Sequence, residues 1–303
     1  MILLDHQNAV LRDTLKARFS TQKQELVNIT LVDFDGVTYH VHTPDTDNLG
    51  ILFVSMRLRC FSELQNYGAT DLLRAEFGDT LQDKAEDGWD LTLKFDLSTS
   101  PGSEELLQKI ANLKTIVLAA PFSRAFDQHD NETADPDLMT IHYRDEETIY
   151  VRAQSDRVTV IFSTVFREET DRIFGKVFLQ EFVDARKQLA LQNAPPVLHS
   201  REPPLELKHL PELAGVTEAN GLHFITFVLF PRHFAPGPVR DSTIAQLQLF
   251  RDYLHYHIKC AKAHMHTRMR RRVAEFLKVL NRAKPERTDK EKKLASGRTF
   301  KRN

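Results

Sequence analysis

Residues 241–283 read DSTIAQLQLFRDYLHYHIKCAKAHMHTRMRRRVAEFLKVLNRA, one helical pattern that ends just before Pro285. Apolar side chains recur at Ile244, Leu247, Phe250, Leu254, Ile258, Ala261, Met265, Met269, Val273, Phe276 and Leu280. The steps alternate between three and four, as one face of an α-helix requires, and neither Gly nor Pro interrupts the run. A helix of this length extends roughly 65 Å, beyond the width of a compact domain in a chain of this size. Part of the stripe is therefore expected to overhang its own domain and to need a partner.

Working outward from that stretch, the charge is uneven. From Arg251 onward there are 17 Lys and Arg against 5 Asp and Glu, a net of +12. The first 250 residues carry 24 against 37, a net of −13. An acidic body with a basic end predicts attraction of that end to an acidic surface. The 303-residue length fits two domains, and the 41% hydrophobic and 27% charged content is that of a folded soluble chain. No secretory signal or membrane-spanning run is visible, and Cys60 and Cys260 cannot form a disulfide framework. A cytosolic location is expected.

The rest of the pattern predicts two similar halves. The first has a helix at about Leu4–Phe19, strands at Val27–Val32, Val37–His42 and Ile51–Arg59, and a helix over Phe61–Phe77. A strand at 89–97 and a helix over Ser103–Ala119, stopped near Pro121, complete it. Asp35-Gly36 is a tight-turn signal. Residues 126–137 read as an acidic loop near a domain boundary. The second half has strands at Met139–Tyr143, Thr148–Ala153 and Val158–Phe166, and a helix at about Glu169–Gln188. Strands at Val197–His199 and Leu222–Phe230 precede the long helix. The stretch from Asp33 to Val41 and that from Tyr143 to Val151 suggest an internal repeat. The expected domains are 1–124 and 125–240, followed by the helix 241–283 and a mobile basic tail 284–303.

Three candidate chemistries compete with a binding role. Asp33-Phe-Asp35-Gly resembles the first motif of an aspartate-nucleophile phosphatase, with Asp33 as nucleophile and Asp35 as acid/base. The alternating Val37–His42 that follows makes it a hairpin turn instead, and no later lysine or acidic pair completes the site. His255, His257, His264 and His266 lack the spacing of three or four that would bring two ligands to one metal. His40 and His42 share a strand face with no third ligand in view. Arg268, Arg270, Arg271 and Arg272 form a basic patch without interleaved aromatics, which disfavours nucleic acid and favours an acidic protein surface. No catalytic, cofactor-binding or metal residue is assigned.

Several stretches carry a resemblance. They are His142–Val151, Arg157–Phe166, Arg201–Lys208, Phe227–His233, Phe250–Cys260, His266–Arg270 and Phe276–Ala283. They are similar to the family of actin-related protein 2/3 complex subunit 2, the larger scaffold subunit of the branched-actin nucleator. The resemblance covers nearly the whole chain. It implies an α+β fold, with two related α/β domains built on small, mainly antiparallel sheets and a long C-terminal α-helix. It also implies a non-enzymatic scaffold without a cofactor. Such a subunit pairs with the smaller scaffold subunit through the long helices, holds the two actin-related subunits and contacts the side of the mother filament. The stripe residues expected at the partner helix are Leu254, Ile258, Met265, Met269, Val273, Phe276 and Leu280. Expected filament contacts are Arg268, Arg270, Lys278 and Arg282, with Arg271 and Arg272 added on charge alone. The implied setting is the cytoplasmic cytoskeleton, in cortical actin patches or leading-edge networks.

Overall fold

The computed structural model describes residues 4–20, 25–99, 102–132, 137–213, 221–282, 292–293 and 299–300. The chain is α+β and forms two compact units, Met1–Tyr256 and His257–Asn303. Both larger sheets lie in the first.

The first sheet contains β1 (Asn28–Val32), β2 (Thr38–His42), β3 (Ile51–Arg57) and β4 (Leu91–Asp96), paired antiparallel in chain order. Asp35 and Gly36 both take positive φ, 64° and 71°, the backbone a primed two-residue turn needs. Alternation on β2 sends Tyr39 and Val41 into the core and His40 and His42 to the opposite face. Helix α1 (Ala9–Ser20) starts from Asn8, whose Oδ1 accepts from the Leu11 N–H at 2.8 Å. Its buried Leu11 and Leu15 belong to this core.

Two predicted helices divide. The expected helix at 61–77 is α2 (Phe61–Asn66) and α3 (Ala69–Phe77), because Gly68 at φ 99° breaks the helical backbone between them. The helix expected at 103–119 becomes α4 (Glu104–Ala111) and α5 (Leu113–Leu118), and a further helix, α6 (Ala120–Asp130), follows at once. The stop near Pro121 holds for α5, but Pro121 does not end the helical run. It lies in the first turn of α6, where a missing N–H breaks no helical hydrogen bond. Residues 126–130 are consequently helical rather than loop, and α6 carries the chain from the first half to the second.

The second sheet has the order β5 (Met139–Ile141), β6 (Ile149–Ala153), β7 (Val158–Val165), β9 (Leu222–Leu229), β8 (Val197–Ser200), antiparallel throughout. Helix α7 (Glu169–Ala185) follows β7. Each half thus runs through three consecutive strands, helix and returning strand, the grammar the internal repeat suggested; β8 is an added edge in the second. Strand β7 is buried along nearly its whole length because both faces are covered. One face carries Tyr150, Ile161, Phe224 and Leu207, and on the other Phe162 and Phe227 meet Phe250 of the C-terminal helix.

That helix, α8, spans Pro238–Arg282 without a break. In the tail, Lys292–Lys293 pairs antiparallel with Thr299–Phe300. The remainder of 283–303, where a mobile tail was expected, lies outside the described residues.

Candidate protein-interaction surface

The base of α8 is fastened to the body through side chains from both halves. Arg240 donates to Asp127 Oδ1 at 2.7 Å and to the Ser123 carbonyl at 2.9 Å, and Gln248 donates to the Thr115 carbonyl at 3.0 Å. Ile244, Leu247, Phe250 and Leu254 are buried, each contributing about 1.5–3 kcal/mol by leaving water. Leu254 and Ile258 are both only 1% exposed, so these two sequence-predicted interface residues are not part of the open surface.

Beyond them the same stripe is open. Met265, Met269, Val273, Phe276 and Leu280 are 46–63% exposed, and Leu277 and Val279 are exposed with them. At about 100° per residue, Leu277 and Val279 flank the stripe on opposite sides, widening the apolar sector to roughly 160°. Counting steps of three and four selects a single line, which is why these two were missed. An open apolar face of this width on a charged helix is a signature of a protein interface.

The six predicted basic residues are all exposed, but the helix distributes them. Arg271, Lys278 and Arg282 point away from the apolar sector, Arg268 and Arg270 border it on either side, and Arg272 falls within it. Glu275 pairs with Arg271 at 3.2 Å and with Arg272 at 3.6 Å. Among the described residues, Arg268, Arg270, Lys278 and Arg282 have no acidic partner. The surface therefore presents an apolar strip with free cations at its edges and back.

The phosphatase motif is built for structure. Asp33 accepts from the Phe34 N–H at 2.7 Å, capping the hairpin turn. The Asp35 carboxylate is held by Lys114 Nζ at 3.0 Å and by the Arg144 guanidinium. Burial alone would raise its pKa; Lys114 and Arg144 outweigh burial and hold it below the usual carboxylate value. A carboxylate ionised and closed between two cations is neither a free nucleophile nor a proton donor. On α8, His264 and His266 are exposed, whereas the His255 ring lies 3.9 Å from Glu147.

The family described as the 34 kD subunit p34-Arc of the Arp2/3 complex matches residues 54–287, which include all of α8. The chain is 45% identical over 322 aligned positions to actin-related protein 2/3 complex subunit 2 of Schizosaccharomyces pombe, covering 99% of each chain. It is 42% identical over 305 positions to the protein of the same name from Dictyostelium discoideum, with 100% of each covered. The chain belongs to the p34-Arc family. By family it is a structural subunit and not an enzyme. Among the described residues, no helix is long and apolar enough to cross a membrane.

In this p34-Arc chain a buried ion network locks the base of α8 to the two hairpins. Arg144, from the β5–β6 turn, reaches Asp35 of the β1–β2 turn and Asp252 of α8 at 3.5 Å. Arg251 donates to Glu147 at 2.7 Å, and Tyr143 Oη donates to the same carboxylate at 3.3 Å. Burial, followed by the neighbouring Asp35, pushes the Asp252 carboxyl up to about 6. Burial and then Arg251 push the His255 imidazole down to about 4. Sequence alone presents Glu147, Arg251 and Asp252 as ordinary surface charges. Their partners lie on other elements, so no local spacing exposes the network.

Proposed function

We propose that this chain works by position, as a scaffold in the complex that nucleates branched actin filaments. Its α8 pairs with the long helix of the smaller scaffold subunit through Met265, Met269, Val273, Phe276 and Leu280, joined by Leu277 and Val279. The two scaffold subunits together hold the two actin-related subunits. Arg268, Arg270, Arg271, Arg272, Lys278 and Arg282 supply the charge that meets the acidic side of the mother filament, with Arg270 and Lys278 as the leading contacts. The setting is the cytoplasmic actin cytoskeleton, in cortical patches or leading-edge networks. Nucleotide belongs to the actin-related subunits, and this chain needs no cofactor.

The observation that carries this reading is the open apolar sector on α8, bordered by Arg268 and Arg270, which have no acidic partner among the described residues. Exposed cations govern encounter and salt dependence more than intrinsic affinity. The experiment is cosedimentation of the assembled complex with actin filaments, comparing the parent with the Arg270→Glu, Lys278→Glu double variant. Weaker filament binding, a flatter salt dependence and unchanged subunit stoichiometry are expected. Unchanged cosedimentation would remove these residues from the filament contact.

A further inference from the structure

The outer face of the first sheet carries a cluster that the scaffold role leaves unused. His40, Ser55 and Thr92 face one another across β2, β3 and β4. Glu86, from the loop before β4, reaches them. Its backbone N–H donates to Thr92 Oγ1 at 3.1 Å, and its Oε2 accepts from Ser55 Oγ at 2.5 Å. The other carboxylate oxygen, Oε1, lies 3.0 Å from His42 Nε2. The His40 and His42 rings stack with centroids 4.2 Å apart, and Trp89 stacks on His40 at 5.3 Å. One ligand-type atom from each of His40, His42 and Glu86 lies within 4.8 Å of the other two.

The hydrogen bonds leave an imbalance. His40 Nε2 lies 2.9 Å from Asn28 Oδ1, as His42 Nε2 lies against Glu86. An imidazole nitrogen facing an oxygen acceptor carries the ring proton, which leaves the other nitrogen as a bare lone pair. In both rings that other nitrogen, Nδ1, is buried and has no hydrogen-bond partner among the described residues. A buried acceptor left unsatisfied costs about 1–3 kcal/mol. Sheet packing needs neither of these side-by-side polar rings.

We propose that His40, His42 and Glu86 bind a divalent transition-metal ion, with zinc the best fit. Two imidazoles and a carboxylate suit zinc, with His nitrogen and carboxylate oxygen each about 2.0–2.2 Å from the ion and a fourth position left to water. The nitrogen donors disfavour magnesium and calcium, which take oxygen. With Glu86 Oε1 already 3.0 Å from His42 Nε2, the ion would replace the proton between those two atoms, and the stacked rings must turn so that a His40 lone pair converges on the same point. The orienting shell is already in place: Asn28 holds His40, while Ser55 and Thr92 hold Glu86. The ion clips the loop before β4 to β2.

The molecule supplies its own reporter, since Trp89 is the single tryptophan in the sequence. The test is a titration of the full-length, chelator-stripped chain with Co²⁺, following Trp89 fluorescence. The expected result is saturable quenching at one ion per chain, reversed by EDTA, displaced by Zn²⁺ and indifferent to Mg²⁺. Glu86→Gln and His42→Gln should each weaken Co²⁺ binding by about tenfold or more, while His264→Gln leaves it unchanged. Far-UV circular dichroism without metal checks that each variant is folded; if His42→Gln is not, Glu86→Gln decides alone. Absence of saturable quenching, or quenching with the same midpoint in Glu86→Gln, would overturn the proposal.

Discussion

Helix α8 contains two stretches with the same apolar periodicity and opposite fates. From Ile244 to Ile258 the stripe is buried within the chain; from Met265 to Leu280 it is exposed. Their apolar composition differs little: Ile, Leu and Phe in one, Met, Val, Phe and Leu in the other. What differs is the covering. The first stretch faces an aromatic floor, where Phe250 packs on Phe162, Phe227 and Phe182 at 4.7–6.0 Å between centroids. It is also surrounded by the Arg144, Arg251 and Asp252 network. For the second stretch the described residues supply no such cover, and apart from Glu275 its charged neighbours are cations. Periodicity establishes that a face is apolar; which surface closes over it is decided by tertiary structure or by a partner.

The largest effect is expected from Met269→Asp with Phe276→Asp. Charges placed in the open sector should weaken assembly with the smaller scaffold subunit by roughly 1,000-fold, measured by co-purification and dilution. The chain's own unfolding free energy should move by no more than about 0.5 kcal/mol, because both side chains are already in water. Phe250→Ala is the mirror case. Losing a buried ring should cost about 3–5 kcal/mol in denaturant unfolding, whether or not the partner is present.

A third test separates two carboxylates at the base of α8. Asp35 is held below its ordinary value of 3.8, so its ionised form stabilises the fold above that pH, and this is lost as pH falls through its lower folded value. Asp35→Asn should therefore destabilise at neutral pH, by about 2–3 kcal/mol after allowance for the partly exposed Arg144, and the deficit should close in acid. Asp252 runs the other way. Its carboxyl is raised to about 6, so ionising it costs the folded state progressively more between pH 4 and 6. The stability of Asp252→Asn relative to the parent should rise across that window. Parallel pH profiles for the two variants would contradict the network as described. The smallest change is expected from Gly175→Ala on α7. A Cβ there would meet the Phe166 ring at 2.7 Å, and thermal unfolding should register about 1–2 kcal/mol of destabilisation without altering assembly.

Much of this architecture was legible in the sequence. Strands with strong alternation or long apolar runs emerged within a residue or two of their predicted ends, as with Leu222–Leu229, because their patterning and the sheet's demands agree. The hairpin at Asp35-Gly36 was readable because only a few residue types tolerate two successive positive φ angles. Less readable were helix interruptions such as Gly68, where a single residue overrides an otherwise continuous helical pattern. Pro121 misled in the opposite direction, since a proline that ends one helix also suits the first turn of the next. For the interaction surface, the stripe and its basic border were visible, but the division between Ile258 and Met265 was not. Local sequence carries no record of what lies across from a side chain. The same limit hid Glu86 from His40 and His42, and Arg144 from Asp35.

The proposal that the open half of α8 is an assembly surface underlies the rest. Its most direct test is size-exclusion chromatography with mass measurement, on the chain expressed alone and co-expressed with the smaller scaffold subunit. Self-association or aggregation of the chain alone and a soluble one-to-one heterodimer on co-expression are expected. A stable monomer that ignores that subunit would contradict the proposal, since the exposed stripe would then need no partner.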